Sequence, residues 1–424
     1  MSRGPRGGRG ERSGFVPPAS LYIHVPVCAS KCSYCDFYSV CAPSLSPGFE
    51  KELVEATLSR AAVLAERFGA AGFDTVYIGG GTPSLLSLPA LERLLGGIEN
   101  LASRGTGETA REWTMEANPD SLGPGVLEIA KRHGVTRVSI GVQSLDPGEL
   151  EILGRRHGAD AALGALRLAA ESGLKVSADL IAGIPTAERA PRQFFDADRL
   201  ASFARESKSA GASHLSVYDL TIEEGSPLAA ARGSLRFPDE DEAWEARRRL
   251  EALLGDLGLR RYEVSNYAAP GDECLHNTAY WHMDSYIGAG PGAVSTIALE
   301  SGASLRVEEP RLVADYRDAA SNADETFIEL PDAAFESIMM AFRTSFGLDL
   351  ASFRRRFGID PGDLIGETLR IWEAWLAIGE PWPGRAASGG PALTSRGMDI
   401  LNRFLGDCLA EMDRTKTHFV PEKW

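Results

Sequence analysis

His24-Val25-Pro26-Val27-Cys28-Ala29-Ser30-Lys31-Cys32-Ser33-Tyr34-Cys35-Asp36-Phe37 is the stretch on which the fold turns. Its three cysteines stand in a C-x3-C-x2-C spacing. Three thiolates can hold three irons of a [4Fe–4S] cube, leaving the fourth iron open to a ligand that is not protein. The run follows the apolar segment 21–25, so the cysteines lie on the loop leaving a strand. A zinc site would want a fourth protein ligand, and Cys41 is the cysteine that could be proposed for it. An iron–sulfur cluster on Cys28, Cys32 and Cys35 is the expectation.

Outward from this loop, residues 21 to 222 alternate short β-branched runs with longer amphipathic stretches. The strand candidates are 21–25, 75–78, 113–116, 137–140, 175–181 and 215–220, and the helix candidates between them include 49–68, 88–101 and 159–172. Six β/α units of this kind predict an α/β fold whose parallel sheet curls into an open, partial (β/α)6 barrel. Short apolar strands suit helices on one face and barrel contents on the other. After Ile222 the alternation weakens. Residues 239–257 read as a charged amphipathic helix, 261–264 as a short strand and 266–294 as a loop rich in Gly, His and aromatics. Further helices are expected at 334–344, 350–357, 366–376 and 395–412, with a loop or small wing over 379–391. The expected division is a disordered Arg/Gly-rich tail over 1–19, a core over 20–309 and a small, mainly helical C-terminal domain over 310–424.

The 424 residues, 44% hydrophobic and 24% charged, describe an ordinary globular chain with material for two domains. A net charge of −15 argues against a general nucleic-acid-binding surface. Six cysteines do not make a disulfide scaffold in a chain of this length. Thiolates and a labile cluster imply a reducing interior, hence the cytoplasm. No stretch is apolar enough for long enough to span a bilayer, and residues 1–13 lack the apolar region of a signal peptide.

Ligand sites in a parallel barrel gather at the C-terminal ends of the strands, and here those ends carry unusual residues. They are Gly79-Gly80-Gly81-Thr82-Pro83, Glu116-Ala117-Asn118-Pro119, Gly141-Val142-Gln143-Ser144, then Asp179, Tyr218 and Asp219. Asp179 interrupts an apolar strand, where burial without a partner is costly. A glycine run lets backbone approach a ligand closely, although alone it more often marks a tight turn.

The cysteine spacing, its flanks and this motif order resemble the radical SAM family, in which the open iron binds S-adenosylmethionine. With Tyr22-Ile23-His24-Val25-Pro26 ahead of the cysteines and Leu153-Gly154-Arg155-Arg156-His157 behind, the order is similar to the coproporphyrinogen III dehydrogenase-like branch. The likeness continues through Arg261-Tyr262-Glu263-Val264-Ser265-Asn266-Tyr267 and Phe342-Arg343-Thr344. The resemblance implies the radical SAM partial barrel, the cluster and S-adenosylmethionine, whose sulfonium is cleaved by one electron to a 5′-deoxyadenosyl radical. It assigns the segment with Gly80, Gly81 and Thr82 to the methionyl amino group, and Glu116 to the cofactor side. Gln143, Arg155 and Asp179 go to ribose or carboxylate, Arg through its fork geometry. Tyr22 and Tyr34 match positions flanking cluster and adenine.

Within the branch, the decarboxylating dehydrogenases carry a fourth cysteine two positions after the third. Here that position is Phe37, as in the branch's haem chaperones. His276-Asn277-Thr278-Ala279-Tyr280-Trp281 looks like the chaperones' H-N-x-x-Y-W motif, associated with haem. Imidazole is a natural axial ligand, so His276 is the expected one, with Cys274, His282 and Met283 as alternatives. Taken alone, such a motif is more often a hydrogen-bonded segment packing aromatics into a core. The resemblance implies haem as bound cargo and acceptor haemoproteins, respiratory ones included, as partners. From charge and hydropathy no nucleic acid and no stable membrane insertion are expected, and a homodimer is left open. Oxygen-independent coproporphyrinogen III dehydrogenase and a radical SAM enzyme with an unrelated substrate are the alternatives. Cys408 reads as an inert buried thiol.

Overall fold

In a computed structural model the described residues are 14–36, 38–41, 48–104, 107, 110–187, 197–316, 323–385 and 389–415. Phe37 and residues 1–13 lie outside them. The six expected strands form as β1 Ser20–Val25, β2 Thr75–Gly80, β3 Glu112–Ala117, β4 Arg137–Gln143, β5 Lys175–Ala182 and β6 His214–Asp219. They are parallel and neighbour one another in chain order. The helices between them include α1 Phe49–Arg67, α2 Leu88–Ala102, α3 Pro124–Arg132, α4 Ala159–Glu171 and α5 Ala197–Ser209. Leu64, Leu91, Leu95 and Leu166 of these helices join Ile23, Ile78, Met115, Ile140 and Val176 in one core.

Those strand residues occupy one face only. Alternation puts the intervening positions on the other face, and there the strands are polar rather than apolar as expected. Ser20, Thr75, Ser139, Ser177, Asp179 and His214 pair with one another across the barrel interior: Thr75 Oγ1 donates to Ser20 Oγ at 2.9 Å, Ser139 Oγ to Asp179 at 3.1 Å, and Ser177 Oγ meets His214 Nδ1 at 2.7 Å. Each of these six side chains thus finds a partner, which is the condition for burying a polar group.

The sheet extends beyond the six strands on both edges. On the β6 edge lie the antiparallel β7 Arg260–Arg261 and β8 Asn266–Ala268, so the strand expected at 261–264 begins a residue earlier, ends at Arg261 and gives way to the turn of a hairpin. Helix α6 Glu240–Asp256 precedes them and starts on an Asp239–Glu242 capping box. The loop expected over 266–294 holds helix α7 Leu275–Trp281 and strand β9 Tyr286–Ala289, which pairs parallel with β1. Strands β10 Val294–Ala298, β11 Ser304–Glu308 and β12 Asp324–Ile328 then follow antiparallel, completing a twelve-stranded sheet.

This sheet runs past residue 310, so the second core begins near Leu330, not at the expected boundary. It is built by α8 Leu330–Ala341, α9 Leu350–Phe357, α10 Pro361–Ile371 and α11 Leu401–Thr415 around Phe342, Phe353, Trp372 and Phe404. Helix α10 starts earlier than expected because Asp360 caps it, accepting from Gly362 N–H at 2.8 Å, and Pro361 suits the first turn. The expected 395–412 helix divides into Ser395–Met398 and α11. Residues 379–390 connect a two-stranded ribbon, Leu376–Ile378 with Pro391–Leu393. Cys408 is fully buried in this core. The tail is also shorter than expected: Phe15 bridges Leu299, packs edge-on against Phe68 at 5.1 Å, and is followed by a Val16 N–H bond to Ala298 O.

Helix α1 is tied to the sheet by a buried ion pair. Arg60 donates three hydrogen bonds of 2.8 to 3.1 Å to the Glu309 carboxylate, whose side chain is fully buried. Removing one partner leaves the other charge uncompensated. Glu309→Gln is expected to lower stability by about 3 kcal/mol, seen as an earlier urea midpoint at unchanged slope.

Candidate functional site

Leaving β1, the chain turns into Val27–Cys28, which pairs in parallel with Val40–Cys41. Cys32 and Cys35 follow on a turn docked through Ser33. Its N–H donates to Leu153 O at 3.1 Å and its hydroxyl to Ile152 O at 2.6 Å, while its carbonyl accepts from Leu228 N–H at 2.9 Å. Cys28, Cys32 and Cys35 are half-buried thiols. Among the described residues no three His, Cys, Asp or Glu side chains close round a single ion. Three soft sulfur donors on one loop, beside the Arg155 guanidinium, do suit an iron–sulfur cluster.

The triple glycine ending β2 is demanded by the protein's own contacts. A Cβ at Gly79 would lie 2.7 Å from the Glu116 carboxylate, one at Gly80 (φ +102°) 2.3 Å from the His24 ring, and one at Gly81 2.7 Å from the Val25 and Val27 carbonyls. Gly81 N–H and Thr82 N–H donate to those two carbonyls at 2.8 and 2.7 Å. The glycine segment is therefore laced to the stem of the cysteine loop.

From Thr82 a chain of hydrogen bonds crosses the rim. Thr82 Oγ1 lies 3.9 Å from Cys28 Sγ and receives Asn118 Nδ2 at 2.9 Å. Asn118 Oδ1 accepts from Arg155 Nη2 at 2.6 Å, and Arg155 Nη1 donates to Cys32 Sγ at 3.5 Å. Arg155 Nη2 also reaches Gly141 O. Asn118 was not among the expected site residues. Its signal was its place two positions after Glu116, where the strand period returns a side chain to the same face.

Glu116 accepts from Tyr77 OH at 2.9 Å and Gly80 N–H at 3.0 Å. Burial, with the Asp179 charge adding to it, nevertheless pushes its pKa up to about 7. Burial likewise raises Asp179 to about 6. Gln143 adopts φ +67°, a strained region for a non-glycine residue, and its Oε1 is buried without a protein partner. Such an orphaned acceptor at the rim fits a bound donor. Tyr34 packs with Leu153, Ile181, Ile184 and Leu220 beside the same rim. Tyr22 lies one layer lower. Its hydroxyl meets His24 Nδ1 at 2.9 Å, and His24 Nε2 meets Tyr38 O at 3.3 Å, so Tyr22 is linked to the cysteine loop through His24.

His276 is at the opposite end of the barrel. Its Nδ1 meets Oγ1 of Thr75, the first residue of β2, at 2.9 Å, and its Nε2 meets Tyr280 OH at 2.8 Å. Its backbone N–H donates to Glu112 Oε1 at 3.0 Å, and the residue is wholly buried, with a pKa lowered by burial to about 3. The expected role as an axial ligand would therefore have to displace one of these contacts. Both ring nitrogens already have protein partners, and iron could take one only by breaking the barrel floor. Cys274 belongs to the same floor, its thiol bonding Glu112 at 3.3 Å. Tyr280 contacts His276 and Tyr286 edge-on at 4.7 and 4.4 Å, and Trp281 packs beside Tyr262, Phe346 and Trp382. His282 stands outside the floor, bonded to Asp284 at 2.9 Å and Asp349 at 3.3 Å. Met283 follows it at φ +60°.

Residues 22–195 match the profile of the Radical SAM superfamily, and residues 328–374 that of the HemN C-terminal domain. The heme chaperone HemW of Escherichia coli (strain K12) is 35% identical over 77% of this chain and 83% of its own length. The chain belongs to the HemW family of radical SAM proteins. HemW of Mycobacterium tuberculosis (strain ATCC 25618 / H37Rv) is 34% identical, covering 80% of this chain and 86% of that one. The mitochondrial radical S-adenosyl methionine domain-containing protein 1 of Mus musculus is 37% identical over 65% of this chain and 60% of its own. Coproporphyrinogen III oxidase (HemN) from Escherichia coli shares the fold, with a TM-score of 0.73 at 18% identity over 94% of this chain and 91% of that one. Membership of the superfamily implies a [4Fe–4S] cluster and S-adenosylmethionine. No helix among the described residues is long and apolar enough to cross a membrane.

Proposed function

We propose that this chain binds haem and hands it to acceptor haemoproteins, respiratory ones included. Its radical SAM scaffold holds a [4Fe–4S] cluster on Cys28, Cys32 and Cys35 and S-adenosylmethionine at the rim. The observation that carries the proposal is the 35% identity to a heme chaperone across 83% of that protein. Phe37, standing where the dehydrogenases have a fourth cysteine, supports it against decarboxylation. A reducing compartment such as the cytoplasm suits the thiol loop. When bound, the cluster supplies the electron that cleaves the sulfonium of its ligand.

The chain's own residues bind and orient. Glu116 and Asp179 offer carboxylates to cationic groups or ribose hydroxyls, and Gln143 Oε1 offers an unused acceptor. Gly80 N–H and Tyr77 OH hold the Glu116 carboxylate in place. With its hydrogen bonds on Asn118, Gly141 and Cys32, Arg155 braces the rim in this structure.

A raised carboxyl makes binding pH-dependent. With a pKa of about 7, Glu116 is mostly protonated at pH 6 and half ionised at pH 7. A cation that binds the ionised form drives the proton off, so affinity rises with pH and levels above the pKa. The dissociation constant for S-adenosylmethionine is expected to tighten about fivefold from pH 6 to pH 7, by equilibrium dialysis. Glu116→Gln should flatten that rise. A flat wild-type profile would separate Glu116 from the ligand's cationic groups.

The test of function pairs two anaerobic assays on reconstituted protein. With coproporphyrinogen III, S-adenosylmethionine and a reductant, chromatography is expected to show no decarboxylated product. Loaded with haem, the protein is expected to deliver it to an apo-haemoprotein, read as the acceptor's Soret band. Protoporphyrinogen at catalytic yield would make this the dehydrogenase instead.

A further inference from the structure

We infer that Asn118 is a positioning residue for the cluster. Its amide orients hydrogen bonds onto two of the three cysteine sulfurs and thereby helps set the cluster's reduction potential. The inference rests on the proposed cluster site at Cys28, Cys32 and Cys35.

The direction of the chain follows from what each group can donate. A guanidinium only donates, so the Asn118 atom facing Arg155 Nη2 at 2.6 Å is the carbonyl oxygen. The amide nitrogen therefore faces Thr82 and gives its proton to Oγ1 at 2.9 Å. Thr82 has one hydroxyl proton, and with its oxygen already accepting from Asn118 that proton is left for Cys28 Sγ, 3.9 Å away. On the other arm, Asn118 Oδ1 and Gly141 O both hold Arg155 Nη2, which leaves Nη1 on Cys32 Sγ at 3.5 Å. The backbone under the amide is itself anchored, since the Asn118 carbonyl accepts the N–H groups of Ser121 and Leu122 at 3.1 Å.

Hydrogen bonds to the sulfurs are one of the levers on an iron–sulfur potential. They stabilise the extra negative charge of the reduced state, so losing them lowers the potential. A side-chain amide is suited to this position because it accepts from Arg155 and donates to Thr82 at once. An aspartate would accept from both and turn the Thr82 hydroxyl away from Cys28. An alanine would do neither.

The experiment is an anaerobic potentiometric titration of the reconstituted cluster, followed by electron paramagnetic resonance without S-adenosylmethionine. The variants are Asn118→Ala, Asn118→Asp, Thr82→Val, Thr82→Ser and the Asn118→Ala/Thr82→Val double. Asn118→Ala and Thr82→Val are expected to lower the midpoint, and Thr82→Ser to keep it. Asn118→Asp is expected to lower it furthest, because it adds a charge as well as reversing the hydroxyl. The Asn118→Ala shift should shrink in the Thr82→Val background, because part of it runs through that hydroxyl. Strictly additive shifts, or an unmoved midpoint in Asn118→Ala at wild-type iron content, would overturn the inference. If the Asn118 variants take up no iron, the Thr82 pair decides, and equal midpoints for Val and Ser would overturn it. Failure of the cluster site itself would show differently, as wild-type iron and sulfide retained after Cys28, Cys32 and Cys35 are replaced.

Discussion

Replacing Cys28, Cys32 and Cys35 together with Ala is expected to abolish the visible absorbance of the anaerobically reconstituted protein, along with its iron and sulfide. The loop itself should survive the change. It is held by the Ser33 bonds to Leu153, Ile152 and Leu228 and by the pairing of Val27–Cys28 with Val40–Cys41, and these bonds are made by backbone groups and the Ser33 hydroxyl. Losing the metal at an unchanged unfolding midpoint would therefore report on ligation alone. Cys41→Ser is the companion variant and is expected to retain the cluster. Iron and sulfide at wild-type levels in the triple variant would remove these cysteines as ligands, and loss of both in Cys41→Ser would bring Cys41 back.

The second large effect is at His276. His276→Ala is expected to lower stability by about 3 kcal/mol, since it opens a cavity and leaves the Thr75 and Tyr280 hydroxyls without their buried partner. Urea unfolding measures this. Burial also holds the imidazole neutral, with a pKa of about 3 against 6.5 for an ordinary histidine. Between those values the unfolded chain binds the extra proton, so this group's contribution is present above pH 6.5 and falls away as pH drops towards 3. His276→Gln, which keeps a polar side chain, is expected to leave the Soret band of the haem-loaded protein where the wild type has it. A displaced Soret band in a variant whose unfolding midpoint is unmoved would restore His276 as an iron ligand.

Glu116 and Asp179 act on stability in the opposite sense. Their folded pKa values, about 7 and about 6, lie above the ordinary 4.5 and 3.8. The folded chain holds the extra protons, so stability falls as pH rises through each window. That strain is stored at the rim, where a cationic ligand would relieve it.

Much of this architecture could be read from local pattern. Each of the six strands β1 to β6 was found within a few residues, because a short β-branched run bounded by polar loop residues is a signal contained in the strand itself, whereas β9, also parallel to β1, lay inside the expected loop. The same locality put Gly80, Thr82, Glu116 and Gln143 at or just past strand ends, and so at the rim. Asn118 was visible as part of a motif, but not as the residue joining Thr82 to Arg155. The setting of the His276 motif was not legible for a related reason. A helix period brings His276 and Tyr280 to one face, four residues apart, but says nothing about which end of the barrel receives that face.

Residues near in the chain thus set most of the strands and helices, and the spacing of the three cysteines with their flanks raises the expectation of a cluster. Whether a polar side chain ends on the rim or in the floor is another matter. His276 finds Thr75 across 201 residues, and Arg155 finds Asn118 across 37. The first pair meets when β9 pairs with β1 and α7 is carried to the barrel floor, the second when β4 lies beside β3. A buried polar group must be hydrogen-bonded wherever it lands, so its role is set by the neighbours that folding delivers and not by the motif that carries it.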